Sequence, residues 1–355
     1  MSGTSLDGAD AVLADFSGNE PHVLAFENES YSTDLRAELL ALNTPGDNEI
    51  ERSALAANQL ALVYARAALR TIQAANIDAK DIAAIGCHGQ TVRHRPGLGY
   101  TTQLNNPALL AELTGCNVVA NFRSRDIAAG GQGAPLAPAF HDGVFKSAAE
   151  TRVVVNIGGI ANLTILEPGR PTRGFDCGPG NCLMDAWISK HRLQWFDKDG
   201  AWAAKGQVLA RLSGRLQSEQ YFADPPPKST GRDLFHLPWL IEKLIGNEPP
   251  QDVQATLLHL TAWSIADHIG RYAPTATRVL VCGGGAQNAA LMREIAARFS
   301  GGIVEPTDAF GVPAQQVEAL AFAWLAKQAT ERTPLDMTST TGAKHPAILG
   351  AIYPA

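Results

Sequence analysis

Four glycine-rich turns, each set against a strand-like run, constrain this chain more than any other feature. They are SGTSLDG (2–8), NIGG (156–159), DCGPGN (176–181) and CGGGAQN (282–288), in a chain with 33 glycines. Glycine lets backbone N–H groups approach an anion closely, and a concave row of such groups holds phosphate. One such turn is usually structural. Four at strand ends predict an α/β chain that gathers a ligand there. None is a Walker A loop, since GxxxxGK[ST] is absent, and GGGAQN is not GxGxxG. Residues 3–16 and 156–166 both read as a glycine-bearing turn followed by a strand, and each opens one half of the chain. The echo predicts a duplicated αβ module with a ligand between the copies.

Composition removes several function classes. A length of 355 residues allows two domains at roughly 100–200 residues each. Hydrophobic residues make up 45% and charged residues 18%, which supports a packed core and excludes wholesale disorder. The net charge is −6 with no basic run, so a general nucleic-acid-binding role is not expected. No apolar run approaches the roughly 18 residues that span a bilayer. MSGTSLDGAD lacks the basic and apolar regions of a signal peptide. Cys87, Cys116, Cys177, Cys182 and Cys282 are scattered and form no CxxC, which favours reduced cytosolic thiols over disulfides or a zinc site.

Strands are expected at DAVLADF (10–16), HVLAF (22–26), Ile82–Ile85, NVVANF (117–122), VVVNIGG (153–159), ANLTIL (161–166), VLVCGGG (279–285) and LGAIYP (349–354). Residues 50–75 are an amphipathic helix in which Leu55, Leu62 and Leu69 recur every seven residues, with Ala56 and Val63 beside them. Asn106 and Pro107 cap a short helix that ends at Gly115. Further helices are expected from Leu183, over 252–271, over 288–299 and over 313–327. FDCGPGN (175–181) and the proline-rich DPPPKSTGRD (224–233) are read as loops.

The motif residues each carry two readings. Ser2, Thr4 and Ser5 could donate to phosphate oxygens and Asp7 could hold Mg²⁺, or the segment could be a polar turn. Asp176 could be a general base, or could cap its own loop. His88 and Gln90 follow a strand and could face a ligand, or be satisfied locally. Arg123 and Arg125 could pair with a carboxylate or phosphate, or form a solvated pair with Asp126. Lys228, Arg232 and Asp233 lie in a lid or a surface connection. Glu318 opens an apolar helix and either favours its dipole or faces a pocket.

Taken in order, GTSLDGAD, CHGQTVRH, FRSRDIAAGGQGAPLAPAFH, NIGGIANLT, GFDCGPGNCLMDAW, GRDLF, VCGGGAQN and VEALAFAWLA resemble the anhydro-N-acetylmuramic acid kinases over nearly the whole chain. That family belongs to the sugar kinase, heat-shock ATPase and actin superfamily. The resemblance implies an α/β fold of two similar actin-like (ribonuclease H-like) domains, with ATP and sugar in the cleft between them. The expected division is 1–124 plus 343–355 for the first domain and 125–342 for the second. It also implies a cytoplasmic bacterial enzyme of peptidoglycan recycling that uses ATP and Mg²⁺. Such an enzyme opens the 1,6-anhydro ring with water and phosphorylates O6. A homodimer is a further family expectation.

By the same resemblance Asp176 is the catalytic base. Gly3, Thr4, Ser5, Leu6, Asp7, Gly8, Ala9 and Asp10 bind the ATP phosphates, with Asp7 holding Mg²⁺ through water. Gly158, Gly159 and Asn162 form the opposing phosphate loop. Gly283, Gly284, Gly285 and Asn288 line the adenosine side. His88, Arg123 and Glu318 lie at the sugar, with Arg123 a partner for its lactyl carboxylate. Two departures stand out. Family members carry a short strand ahead of MSGTSLDG, which would pair with DAVLADF. Either the natural start lies upstream, or the phosphate loop is frayed and activity impaired. Cys177 replaces a Thr or similar small residue, a change expected to be tolerated. The competing readings are an ordinary amino-sugar kinase, a nucleotide-dependent scaffold and an inactive nucleotide-binding homologue.

Overall fold

The computed structural model describes residues 1–355 except Thr4, Ser5, Asp7, Asn19 and Arg232. In chain order the strands are β1 (Gly8–Asp15), β2 (His22–Ser30), β3 (Ile85–Cys87), β4 (Gln90–Arg95), β5 (Tyr100–Leu104), β6 (Val118–Ala120), β7 (Thr151–Ile157), β8 (Ile160–Leu166), β9 (Arg173–Pro179), β10 (Ala276–Cys282), β11 (Ile303–Pro306) and β12 (Ala351–Tyr353). The chain forms two compact units, Met1–Phe140 with Gln316–Ala355, and His141–Gln315.

The second unit is built on one sheet of order β11-β10-β7-β8-β9. β10 is parallel to β7 and β11, whereas β8 is antiparallel to β7 and β9. Renumbered within the unit, the order is 5-4-1-2-3 with the second strand reversed, which is the ribonuclease H-like topology. Val153, Val155, Val279 and Val281 are buried because β7 and β10 lie inside the sheet under helices, and such strands read as continuous apolar runs. Helix Cys182–Arg192 buries Leu183, Met184 and Trp187, and helix Pro250–Tyr272 buries Val253, Leu257, Leu260, Ile265 and Ile269. Both sets match the faces expected from spacing.

The first unit carries the antiparallel pair β1-β2, the three-stranded sheet β12-β6-β3 and the hairpin β4-β5. Its antiparallel pair, a helix at Glu49–Ala74 and the parallel pair β3-β6 repeat the opening order of the second unit. The echo seen in sequence is therefore an echo of topology, and the fold is mixed α/β and actin-like. Asn106 accepts from the Leu109 amide and Gly115 closes that helix, as its sequence requires.

Four expectations are corrected. Leu55, Leu62 and Leu69 are 57%, 45% and 41% exposed, and the helix buries Ala56, Leu60, Val63 and Ala67 instead. Small residues let the helix sit close on β1 and β2, so the leucine stripe is turned to solvent. The run Ile82–Ile85 joins a strand only at Ile85, because a short helical turn at Ala79–Asp81 precedes it. The helix expected from Pro313 begins at Val317. The units divide at 140/141 and 315/316 rather than at 124/125 and 342/343. Helices Phe122–Ala128 and Val317–Thr330 bury Phe122, Phe322 and Leu325 in one cluster with Val119 of β6, which binds them to the first unit.

Asp10 of β1 exchanges two backbone bonds with Met1, N to O at 2.8 Å and O from the Met1 amine at 2.6 Å. Along this edge an apolar cavity of about 100 Å³ is lined by Val12, Leu13, Tyr64, Ile72, Ile85 and Ala323. All five cysteines are buried, and no disulfide joins any two of them. Among the described residues no helix is long and apolar enough to cross a membrane.

Candidate active site

In the second unit three glycine-rich turns meet at the carboxyl ends of β7, β9 and β10. The turn Gly158–Gly159 links β7 to β8. The amides of Gly180 and Cys182 donate to the Gly159 carbonyl at 2.9 and 3.1 Å, and the Asn181 amide donates to the Gly158 carbonyl at 2.8 Å. A Cβ on Gly180 would sit 2.4 Å from the Gly158 oxygen, so the two turns touch only because residue 180 is glycine. Gly283 has φ +78 and opens the third turn beside Asn156 and Ile157. Helix Cys182–Arg192 starts at this junction, with its Cys182 amide held by Gly159, and the positive end of its dipole favours an anion. An open pocket of about 650 Å³ adjoins, lined by Asn181, Asp185, Phe196, Lys198, Gly284 and Asn288. The Asn288 side-chain oxygen accepts from the Leu291 amide at 3.0 Å, so that atom caps a helix.

Asp176 lies inside β9, opposite Asn162 of β8, and not in a loop. The expectation of a loop over 175–181 holds only from Gly180 onward, because pairing with β8 satisfies the backbone as far as Pro179. The segment 224–233 is fastened to Asp176. The Thr230 amide donates to Asp176 Oδ2 at 3.0 Å, the Asp176 amide donates to the Lys228 carbonyl at 3.2 Å, and the Tyr221 hydroxyl donates to the Asp176 carbonyl at 2.7 Å. Lys228 Nζ donates to the Tyr221 carbonyl and lies 4.5 Å from that ring's centre. Burial raises the Asp176 carboxyl to about 6, with the Thr230 amide opposing. Cys177 alternates to the other face of β9, fully buried with Sγ 3.3 Å from the Ala161 carbonyl oxygen, away from the carboxylate.

In the first unit the three expected sugar residues come together. His88 directly follows β3 and lies against Phe322, ring centres 4.5 Å apart. Arg123 Nε donates to His88 Nε2 at 3.0 Å, and Nη1 donates to the Gly133 carbonyl at 2.8 Å. Accepting at Nε2 places the imidazole proton on Nδ1, which is buried with no hydrogen-bond partner of good geometry. Burial, and then the neighbouring guanidinium, hold His88 well below the usual histidine range. Burial brings Arg123 down to about 10, while the charges of Glu318 and Asp126 oppose that shift. Glu318 is exposed in the first turn of helix Val317–Thr330.

The first glycine turn is described only in part. Thr4, Ser5 and Asp7 lie outside the described residues, as does Arg232. Ser2 is buried, donates to Gln90 Oε1 and accepts from the Tyr31 hydroxyl at 2.6 Å, so its hydroxyl braces the interior instead of a ligand. Gly3 is half-buried, and Leu6 is buried with φ +54. Gly8, Ala9 and Asp10 are part of β1, where the Asp10 carboxylate accepts from Asn28 at 2.8 Å. Arg125 is exposed, and Asp126 is buried among neutral donors instead of forming a solvated pair. Sequence reasoning missed Tyr221, Thr230, Gly133 and Thr341. The proline-ordered loop pointed toward Thr230, and the GGQG run toward Gly133. Nothing in sequence pointed to Thr341.

A sequence profile described as "Anhydro-N-acetylmuramic acid kinase" matches residues 1–355. A Cupriavidus metallidurans protein of that name is 56% identical over 365 residues, covering 100% of this chain and 96% of its own. One from Bordetella pertussis is 58% identical over 360 residues, covering 100% and 95%. Among solved structures, component A of (R)-2-hydroxyglutaryl-CoA dehydratase from Acidaminococcus fermentans aligns at TM-score 0.47 and 12% identity, over 91% of this chain and 99% of its own. The activator of 2-hydroxyisocaproyl-CoA dehydratase from Clostridium difficile aligns at TM-score 0.45 and 14% identity, over 92% and 96%.

Proposed function

The chain belongs to the anhydro-N-acetylmuramic acid kinase family, and on that premise we propose that Asp176 activates the water that opens the anhydro bridge. The enzyme is an ATP-dependent phosphotransferase of amino-sugar metabolism. Its substrate is 1,6-anhydro-N-acetylmuramic acid, and its product N-acetylmuramic acid 6-phosphate serves peptidoglycan recycling. Water is a poor nucleophile and needs a base whose pKa lies near the working pH. Asp176 meets that need: burial places it at about 6, and one oxygen is held by Thr230 while the other is left for water. This is the observation that carries the reading.

Asp176 takes a proton from water, and the hydroxide equivalent bonds to C1. The C1–O6 bond breaks, with its electron pair going to O6. O6 bonds to the γ-phosphorus, the bond to the β-γ bridging oxygen breaks, and ADP leaves. The glycine turn at Gly158–Gly159 lets the phosphoryl group approach closely, and the positive end of helix Cys182–Arg192 stabilises its oxygens. The pocket at Gly284 and Asn288 takes adenosine. Mg²⁺ binds chiefly through nucleotide phosphates and waters with few carboxylates, and it would neutralise phosphate charge. Asp7 is the candidate carboxylate. Among the described residues no group of three metal-ligating side chains converges, and no step here runs through the ion.

In the first unit, Arg123 has Nε and Nη1 committed and Nη2 available for the lactyl carboxylate. His88 accepts from Arg123 Nε and so holds the guanidinium in place at the sugar. Glu318 supports the guanidinium charge and accepts a sugar hydroxyl. We place the enzyme in the bacterial cytoplasm, where ATP is available, as a homodimer.

The test is turnover of 1,6-anhydro-N-acetylmuramic acid with ATP and Mg²⁺ in ¹⁸O-water, read by mass spectrometry. One ¹⁸O at C1 of the 6-phosphate, lost with Asp176→Asn, is expected. A 6-phosphorylated product without ¹⁸O would instead indicate an ordinary sugar kinase, and no product an inactive homologue.

A further inference from the structure

Asp126 is a carboxylate with 1% exposure, in helix Phe122–Ala128, one turn beyond Arg123. A buried charge is costly unless its lone pairs are satisfied, so its partners show what it is kept for. Oδ1 accepts from the Thr341 hydroxyl at 2.6 Å and Oδ2 from the Gly133 amide at 2.6 Å. The Asp126 carbonyl accepts from the Gly131 amide at 2.9 Å, and the Thr341 carbonyl accepts from the Gln132 amide at 2.8 Å. Residues 131–133 are thus tied at three successive amides. The Gly133 carbonyl, on the residue whose amide Asp126 holds, is the one that fixes Arg123 Nη1. Thr341 also contacts the Met337 carbonyl at 3.1 Å, so it arrives already anchored in the C-terminal segment.

We propose that Asp126 and Thr341 are positioning residues that aim Arg123 and so set the preference for a sugar bearing a carboxylate. This rests on the reading that Arg123 binds the lactyl carboxylate. The chain of contacts runs Thr341 hydroxyl, Asp126 carboxylate, Gly133 amide, Gly133 carbonyl, Arg123 Nη1. With Nε fixed by His88, both restraints on the guanidinium plane are accounted for, and a fork of fixed plane binds a carboxylate better than a freely turning one. The arrangement also links the segment around Thr341, which carries no group of the reaction, to substrate choice.

The test compares kcat/KM for 1,6-anhydro-N-acetylmuramic acid with that for 1,6-anhydro-N-acetylglucosamine, which lacks the lactyl ether. Thr341→Val removes the hydroxyl at constant shape, Thr341→Ser restores it, and Asp126→Asn keeps an acceptor for Gly133 while removing the charge. Thr341→Val is expected to lose roughly tenfold of the preference through KM for the carboxylate sugar. KM for ATP and turnover of the carboxylate-free sugar should stay unchanged, and Thr341→Ser should recover the preference. Asp126→Asn should fold and lose part of it. Full preference in Thr341→Val, with Arg123→Lys losing it, overturns the inference and leaves the reading of Arg123 standing. Full preference in Arg123→Lys overturns both.

Discussion

The backbone amide of Thr230 donates to Oδ2 of Asp176 at 3.0 Å, across 54 residues of chain. The bond holds the carboxylate while burial raises it to about 6. The base must be ionised to accept a proton, so kcat/KM should fall as pH drops through about 6, with slope one in a logarithmic plot. A pH–rate profile checks this. A limb near 4 would show the carboxylate to be solvated during catalysis.

The same shift bears on stability. The folded carboxyl titrates near 6 and the unfolded one near 3.8, so between these values the folded state holds a proton that the unfolded state has lost. Stability from this group is therefore present at low pH and declines as pH rises through 6. Asp176→Asn keeps an acceptor for Thr230 and removes the charge. It should abolish turnover yet gain up to about 3 kcal/mol at pH 8, with no gain near pH 4. Urea unfolding at the two pH values is the measurement.

Gly180→Ala should damage nucleotide binding. Its Cβ would fall 2.4 Å from the Gly158 oxygen, which forces apart the two turns that shape the phosphate site. KM for ATP should rise by about tenfold or more, since small displacements of aligned groups are costly. Steady-state kinetics with ATP varied, alongside a melting curve, would separate this from unfolding.

Leu60 and Leu62 should behave oppositely although they neighbour each other on one helix. Leu60 is fully buried and Leu60→Ala should cost about 2–5 kcal/mol. Leu62 faces solvent and Leu62→Ala should stay within about 0.5 kcal/mol. Denaturant midpoints for the two variants decide it.

Asn288→Ala should cost about 1 kcal/mol by removing the cap on helix Ala289–Arg298. Because that oxygen is committed to Leu291, the loss should appear in the absence of nucleotide. A melting-temperature difference measured without ATP would bear this out.

Strands β7, β8 and β10 were legible because continuous apolar runs bounded by glycine turns leave few other local solutions. Asp176 was legible as a residue, through its motif, but its place inside β9 was not. Glycine and proline in FDCGPGN read locally as a loop, and only pairing with β8 keeps the backbone extended as far as Pro179. Gly8 and Ala9 show the same effect in the first unit, since pairing with β2 extends into them the strand expected only from Asp10.

What the sequence determined by itself is local: where turns must bend, which runs must be buried, and which groups carry chemistry. Those follow from backbone sterics and side-chain hydration, which act over a few residues. The tertiary structure decided which groups meet. Thr230 on Asp176, Thr341 on Asp126 and the solvent-facing leucines of helix Glu49–Ala74 depend on neighbours tens to hundreds of residues away. A period in the sequence shows that a helix has an apolar stripe. Whether that stripe is buried depends on what packs against it, and the packing free energy of the whole unit settles that.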